Sequence, residues 1–206
     1  MGRIILIASV GVAAVLLGTT AFLSMGSGES KFEQCSVNKI AGGTSAIGGP
    51  FSLIDETGTR VSDTEVLTKP SLIYFGYTFC PDVCPLDASR NAEAVDILDA
   101  EGVETTPIFI SIDPARDTPE VMAEYTDVMH ERMIGLTGTE EDVKAASRAY
   151  KTYYSKNDSE DDEYYLVDHS TFTYLYLPER GVVEYFKRDD TAEDMAERVA
   201  CFVNNS

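Results

Sequence analysis

The run Tyr74-Phe75-Gly76-Tyr77-Thr78-Phe79-Cys80-Pro81-Asp82-Val83-Cys84-Pro85 constrains local structure more tightly than any other part of the chain. Residues 71–77 are apolar and aromatic, as a buried strand requires, and two prolines follow at fixed offsets. A proline inside a helix clashes with the carbonyl four residues earlier, so Pro81 and Pro85 cannot both be helix-interior. Pro85 fits a first helical turn, which leaves residues 80–84 as a tight lead-in between strand and helix. Cys84 is thereby placed at a helix N-terminus, where unpaired N–H groups and the helix dipole favour thiolate and are expected to lower its pKa.

The same alternation of short apolar runs and helical segments continues through the chain. Residues 51–54, the turn Asp55-Glu56-Thr57-Gly58 and Arg60-Val61 read as a hairpin, and residues 71–77, 106–112, 172–177 and 182–186 read as strands. Helices are expected over about 85–100, 119–129, 140–150 and 192–203, the second with Thr118 as N-cap and Pro119 at its first position, the last after Thr191. Strand, helix and strand in succession, then a hairpin and a terminal helix, imply an α/β fold: a mixed sheet with helices on both faces, thioredoxin-like in outline with added elements.

Residues 4–23 form an uncharged apolar stretch of twenty positions. At about 1.5 Å per helical residue it spans about 30 Å, the thickness of a bilayer core. The stretch is longer than the apolar region of a signal peptide, and Ala21-Phe22-Leu23 is a poor cleavage site, so residues 1–23 are expected to be an uncleaved transmembrane anchor. Arg3, the one charge before it, keeps the N-terminus cytoplasmic and sends the rest across the membrane. Residues 24–47, rich in Gly and Ser, read as a flexible tether, and residues 48–206 as one folded domain.

The whole chain carries 16 basic and 35 acidic side chains, a net charge of −19. Such a surface repels phosphate backbones, which argues against nucleic-acid binding. The acidic run Asp158-Ser159-Glu160-Asp161-Asp162-Glu163 lacks the glycine and spaced ligands of a calcium loop and reads as a solvated loop.

Four cysteines in an exported domain do not by themselves specify a pairing. Cys80 and Cys84 sit between a strand and a helix, whereas Cys35 lies in the tether and Cys201 in the last helix. The near pair reads as functional, and the far pair is expected to form a disulfide holding the tether to that helix. With three residues between them, Cys80 and Cys84 can either join or splay around an ion, but two thiolates leave a soft metal under-coordinated. The chain has two histidines to supply a nitrogen. His130, at the end of a helical segment, suits a capping or surface role. His169 lies in a loop before a strand, and loop hydrogen bonding explains it as well as metal binding does.

Several stretches together resemble the Sco/SenC family, membrane-tethered copper proteins that assist assembly of the copper centres of cytochrome c oxidase. They are Gly49-Pro50-Phe51-Ser52-Leu53 with Asp55 and Gly58, the cysteine motif, Ser111-Ile112-Asp113-Pro114-Ala115-Arg116-Asp117-Thr118-Pro119, Gly135-Leu136-Thr137-Gly138 and Asp168-His169-Ser170. The resemblance covers about residues 48–203. It implies a thioredoxin-like domain binding one copper ion, Cu(I) or Cu(II), through Cys80, Cys84 and His169. Two thiolates and an imidazole suit copper(I) in three-coordinate geometry and hold copper(II) with an added ligand. The implied partners are a copper donor protein and the oxidase subunit that carries the copper centre. The implied location is the periplasmic face of a bacterial inner membrane. A carboxylate that orients a ligand is a reading open to Asp113 and Asp168.

On this reading the chain is a carrier rather than an enzyme. Its rival is a thiol–disulfide reductase that uses Cys80 and Cys84 on the oxidase's own cysteines. A thiol peroxidase fits less well, because Tyr77 stands where peroxiredoxins carry threonine and the chain has no tryptophan for a glutathione-peroxidase site.

Overall fold

The computed structural model describes residues 31–38, 46–157 and 164–206. The expected anchor and the acidic run lie outside them. No helix among the described residues is long and apolar enough to cross a membrane. The chain divides into two compact units, residues 1–34 and 35–206. Of the first, the short helix α1 (Lys31–Gln34) is described.

The second unit holds a seven-stranded mixed sheet. Its strands are β1 (Ser52–Asp55), β2 (Arg60–Ser62), β3 (Ser71–Gly76), β4 (Thr106–Ser111), β5 (Ile134–Thr137), β8 (Thr173–Leu177) and β9 (Gly181–Phe186), in the order β2-β1-β5-β4-β3-β8-β9. The centre β5-β4-β3 is parallel and the flanking pairs are antiparallel. Every residue of β3 is buried, the pattern of a parallel strand covered on both faces. Gly76 ends β3 because nothing larger fits: a Cβ there would lie 2.7 Å from Tyr74 Cε1 and 2.9 Å from Phe109 Cζ.

Helices α2 (Asp63–Val66), α3 (Val83–Ala100), α4 (Pro119–Met129), α5 (Glu140–Ala149) and α6 (Ala192–Asn204) flank the sheet. Their starts are set by local chemistry. The hydroxyls of Thr118, Thr139 and Thr191 each accept an N–H from the first turn that follows. Helix α3 lies along β3 and β4 and packs against α6. The core between helices and sheet includes Leu53, Ile73, Phe75, Phe109, Ile110, Met122, Val143, Tyr150 and Phe202. Full burial of each such side chain contributes about 1.5–3 kcal/mol.

A two-stranded hairpin, β6 (Tyr154–Lys156) with β7 (Val167–His169), stands apart from the main sheet. Sequence reading placed no strand at β5, β6 or β7. His169 ends β7 instead of lying in a loop before a strand, because Tyr154 pairs with it across the hairpin.

Cys35 and Cys201 are joined in a disulfide, as expected. Within the stretch read as a tether, Cys35 is buried, and the next three residues close over Glu184 of β9. The Val37 N–H donates to Glu184 Oε2 at 2.9 Å, and the Ser36 hydroxyl reaches the same oxygen at 3.3 Å. Glu184 is fully buried, so these donors and the Tyr185 N–H at 2.9 Å replace the water it has lost.

Candidate metal centre

Cys80, Cys84 and His169 converge. One ligand atom from each lies within 4.8 Å of the other two, and both cysteines are free thiols. Helix α3 begins at Val83, with Asp82 as N-cap, so Cys84 and Pro85 occupy its first turn as the proline argument requires. Cys80 hangs from the lead-in, and its sulfur accepts the Cys84 N–H at 3.4 Å. Cys84 Sγ lies 3.3 Å from His169 Nε2.

The imidazole is oriented on every side. Its Nδ1 lies 2.8 Å from the Ser170 carbonyl oxygen, which accepts its proton and leaves the Nε2 lone pair facing the sulfurs. The rings of Tyr74 and Tyr77 stand edge-on to it, with centroids at 6.2 and 5.9 Å. Burial holds the His169 pKa below its ordinary value, against the pull of the Ser170 carbonyl and the charges of Asp87 and Asp168, so the ring favours the neutral, ligating form.

The two thiols differ. Burial opposes ionisation of Cys80, but N–H groups of Asp82, Cys84 and Val83 outweigh it and bring its pKa below the usual thiol value. Cys84 is shifted the other way: it is fully buried, and that desolvation drives its pKa far up despite a hydrogen bond from the Tyr77 backbone. The expectation that the helix N-terminus would make Cys84 the low-pKa thiol is therefore corrected. The dipole acts on Cys84, but loss of water acts more strongly.

Beneath the site lies Asp87, one helical turn beyond Cys84 and buried. Tyr74 Oη donates to its Oδ2 at 3.1 Å, and Arg90 and Arg188 approach at 3.5 and 3.8 Å. Burial raises the Asp87 pKa, while Arg90, Tyr74 and Arg188 hold the rise back. Neither this support nor the two tyrosine rings were read from the sequence. The i, i+3 spacing of Cys84 and Asp87 was the one available signal.

The other candidates take structural places. Asp113 pairs with Arg116 Nε at 2.5 Å and accepts the Tyr165 hydroxyl at 2.6 Å, so it touches no ligand of the centre. Asp168 is exposed and accepts from Asn157 at 3.3 Å. His130 is the C-cap of α4, and its side chain is packed rather than on the surface. It stands with Asp96 and Asp99 in a second group of metal-ligating residues. Its Nδ1 accepts the Arg132 N–H at 3.0 Å, which puts the neutral ring's proton on Nε2, facing Asp96. Asp99 is already paired with Arg132 at 2.5 Å, so this group is a hydrogen-bonded helix end. A cavity of about 460 Å³ opens beside Tyr165, lined also by Lys144, Arg148 and Lys156, and contains neither thiol.

The SCO1/SenC family model matches residues 40–204. The chain belongs to the SCO1/SenC family. It is 49% identical to protein SenC of Rhodobacter capsulatus over 200 residues, which cover 96% of this chain and 89% of SenC. To the mitochondrial SCO1 homolog 1 of Arabidopsis thaliana it is 42% identical over 158 residues, covering 76% of this chain and 47% of that protein. This SCO1/SenC chain thus spans about half the length of the plant relative. Among solved structures, the crystal structure of Arabidopsis thaliana ScoI with copper bound aligns with a TM-score of 0.74 and 40% identity, covering 78% of this chain and all of that one. The α/β fold with its mixed sheet and flanking helices is the thioredoxin-like fold of this family.

Proposed function

We propose that this SCO1/SenC protein carries one copper ion on Cys80 Sγ, Cys84 Sγ and His169 Nε2 and delivers it to a copper centre of cytochrome c oxidase. The observation that carries the reading is the approach of two free thiols to an imidazole whose lone pair already faces them. Soft sulfur with one nitrogen favours copper(I). Copper-bound ScoI of Arabidopsis, at 40% identity, supports the choice of ion. Loading displaces the thiol protons, so the site must be reduced and the copper arrives from a donor protein. Partner thiolates or imidazoles then replace the three ligands one at a time, and the ion is never free. Residues 1–23 anchor the protein in a bacterial inner membrane, and residues 48–206 work in the periplasm.

The test is metal analysis of the reduced, purified protein beside Cys80→Ser and His169→Ala. One copper per wild-type chain, lost in both variants, is expected. Copper retained by His169→Ala would overturn the ligand set.

The opposite pKa shifts of the thiols favour a second role. A Cys80 thiol with lowered pKa beside a Cys84 thiol with raised pKa is the arrangement of a dithiol reductant, with the first sulfur as nucleophile and the second closing the disulfide. In that step both thiols lose a proton and an electron, and the partner's disulfide gains them. Exchange of this kind does not require His169, so His169→Ala separates the two activities.

A further inference from the structure

We infer that Arg116 is a positioning residue for the metal centre, a clamp that fixes the hairpin bearing His169 against the loop bearing Cys80. The inference rests on the copper site proposed above. Among the described residues no strand pairing joins β6–β7 to the main sheet, so side-chain contacts help to set the distance from β7 to the cysteine loop.

Arg116 reaches both partners. Its guanidinium carbon lies 3.7 Å from the ring centroid of Tyr165 on the hairpin side, 4.6 Å from that of Phe79 and 5.7 Å from that of Tyr77 on the cysteine side. Its Nη1 donates to the Tyr165 carbonyl oxygen at 3.0 Å and its Nε to Asp113 Oδ2 at 2.5 Å. Asp113 closes the loop by accepting the Tyr165 hydroxyl at 2.6 Å.

The neighbours of Arg116 point the same way. Asp117, fully buried, accepts the Thr78 N–H at 3.2 Å and the Thr78 hydroxyl at 2.6 Å, which pins the approach to Cys80. Across the gap the Val167 N–H donates to Tyr77 Oη at 3.3 Å, two residues before His169. The segment from Asp113 to Asp117 thus grips both halves of a centre it does not itself enter. A flat guanidinium that stacks and forks at once is suited to this role, and a lysine ammonium is not.

The experiment compares wild type, Arg116→Ala, Arg116→Lys and His169→Ala as full-length reduced proteins. Copper(I) affinity is read by chelator competition, the His169 ring by its NMR signals without metal, and global stability by urea unfolding. Both Arg116 variants are expected to bind copper roughly 10- to 100-fold more weakly, the usual cost of disturbing groups around a metal's ligands. Their His169 signals should broaden or split. A clamp predicts these changes in variants that remain folded, whereas a merely structural arginine predicts a lower unfolding midpoint with unchanged affinity.

If Arg116→Ala does not fold, Arg116→Lys decides. If neither folds, the role is global stability and the inference falls. Wild-type affinity and a single His169 signal in either folded variant also overturn it. A wild type that takes up no copper, or His169→Ala that keeps it, would instead overturn the proposed copper site.

Discussion

Cys84 Sγ and His169 Nε2 lie 3.3 Å apart although 85 positions separate them in the chain. The imidazole lone pair faces the sulfur because Nδ1 is committed to the Ser170 carbonyl. The two sulfurs and the ring nitrogen are thereby held within 4.8 Å of one another, although they come from distant parts of the chain.

Replacing His169 by alanine removes the one nitrogen of the set and leaves both sulfurs. Copper affinity should fall by more than the ~100-fold that changes outside the ligand set cost. Cys80 and Cys84 should still oxidise to a disulfide. Chelator competition and thiol counting on the same sample check both halves, and unchanged affinity refutes the assignment of His169.

The two thiols should be alkylated in a fixed order. A lowered pKa means that Cys80 ionises at lower pH than an ordinary thiol, whereas Cys84 stays protonated through the usual thiol range. Iodoacetamide labelling from pH 6 to 9, read by peptide mass spectrometry, should modify Cys80 first and Cys84 mainly after unfolding. Equal rates at every pH would show that burial does not separate them.

That order could not be read from the sequence, and the reason is physical. The helix N-terminus is local chemistry, legible from Pro85, but burial of Cys84 depends on residues packed over it from elsewhere in the fold. The same division runs through the fold. Helix α4 was legible because Thr118 and Pro119 announce it within two residues, and β3 because a six-residue apolar run needs no partner to be recognised. Strands β6 and β7 have three residues each and too little alternation to register. His169 entered the ligand set only through the family resemblance, since nothing local distinguishes its imidazole from one held in a loop. Arg116 was within a quoted motif, yet its work lies in three rings on two other segments.

The Cys35–Cys201 bridge spans 166 positions and should contribute to stability through the unfolded chain. The double variant Cys35→Ser, Cys201→Ser is expected to lose about 2–5 kcal/mol in urea unfolding. Copper stoichiometry should not change, because neither sulfur belongs to the Cys80, Cys84 and His169 group. Equal unfolding midpoints for the oxidised protein and the variant would show that the bridge does not stabilise the fold.

Tyr74→Phe tests the polar support under the centre. The variant keeps the ring that stands against His169 but removes the hydroxyl that donates to Asp87. Leaving a buried carboxylate one donor short costs about 1–3 kcal/mol. The sign with pH follows from Asp87, whose pKa burial raises and Tyr74 lowers. A raised carboxyl pKa means that the fold favours the protonated form, so the stability it contributes is lost as pH rises through the folded pKa. Removing the hydroxyl raises that pKa further, and the deficit of the variant should widen in that window. Urea unfolding at acid and neutral pH is therefore expected to give a small difference between the two proteins at pH 4 and the full cost at pH 7. A deficit independent of pH would mean that the hydroxyl packs against Asp87 without supporting its charge.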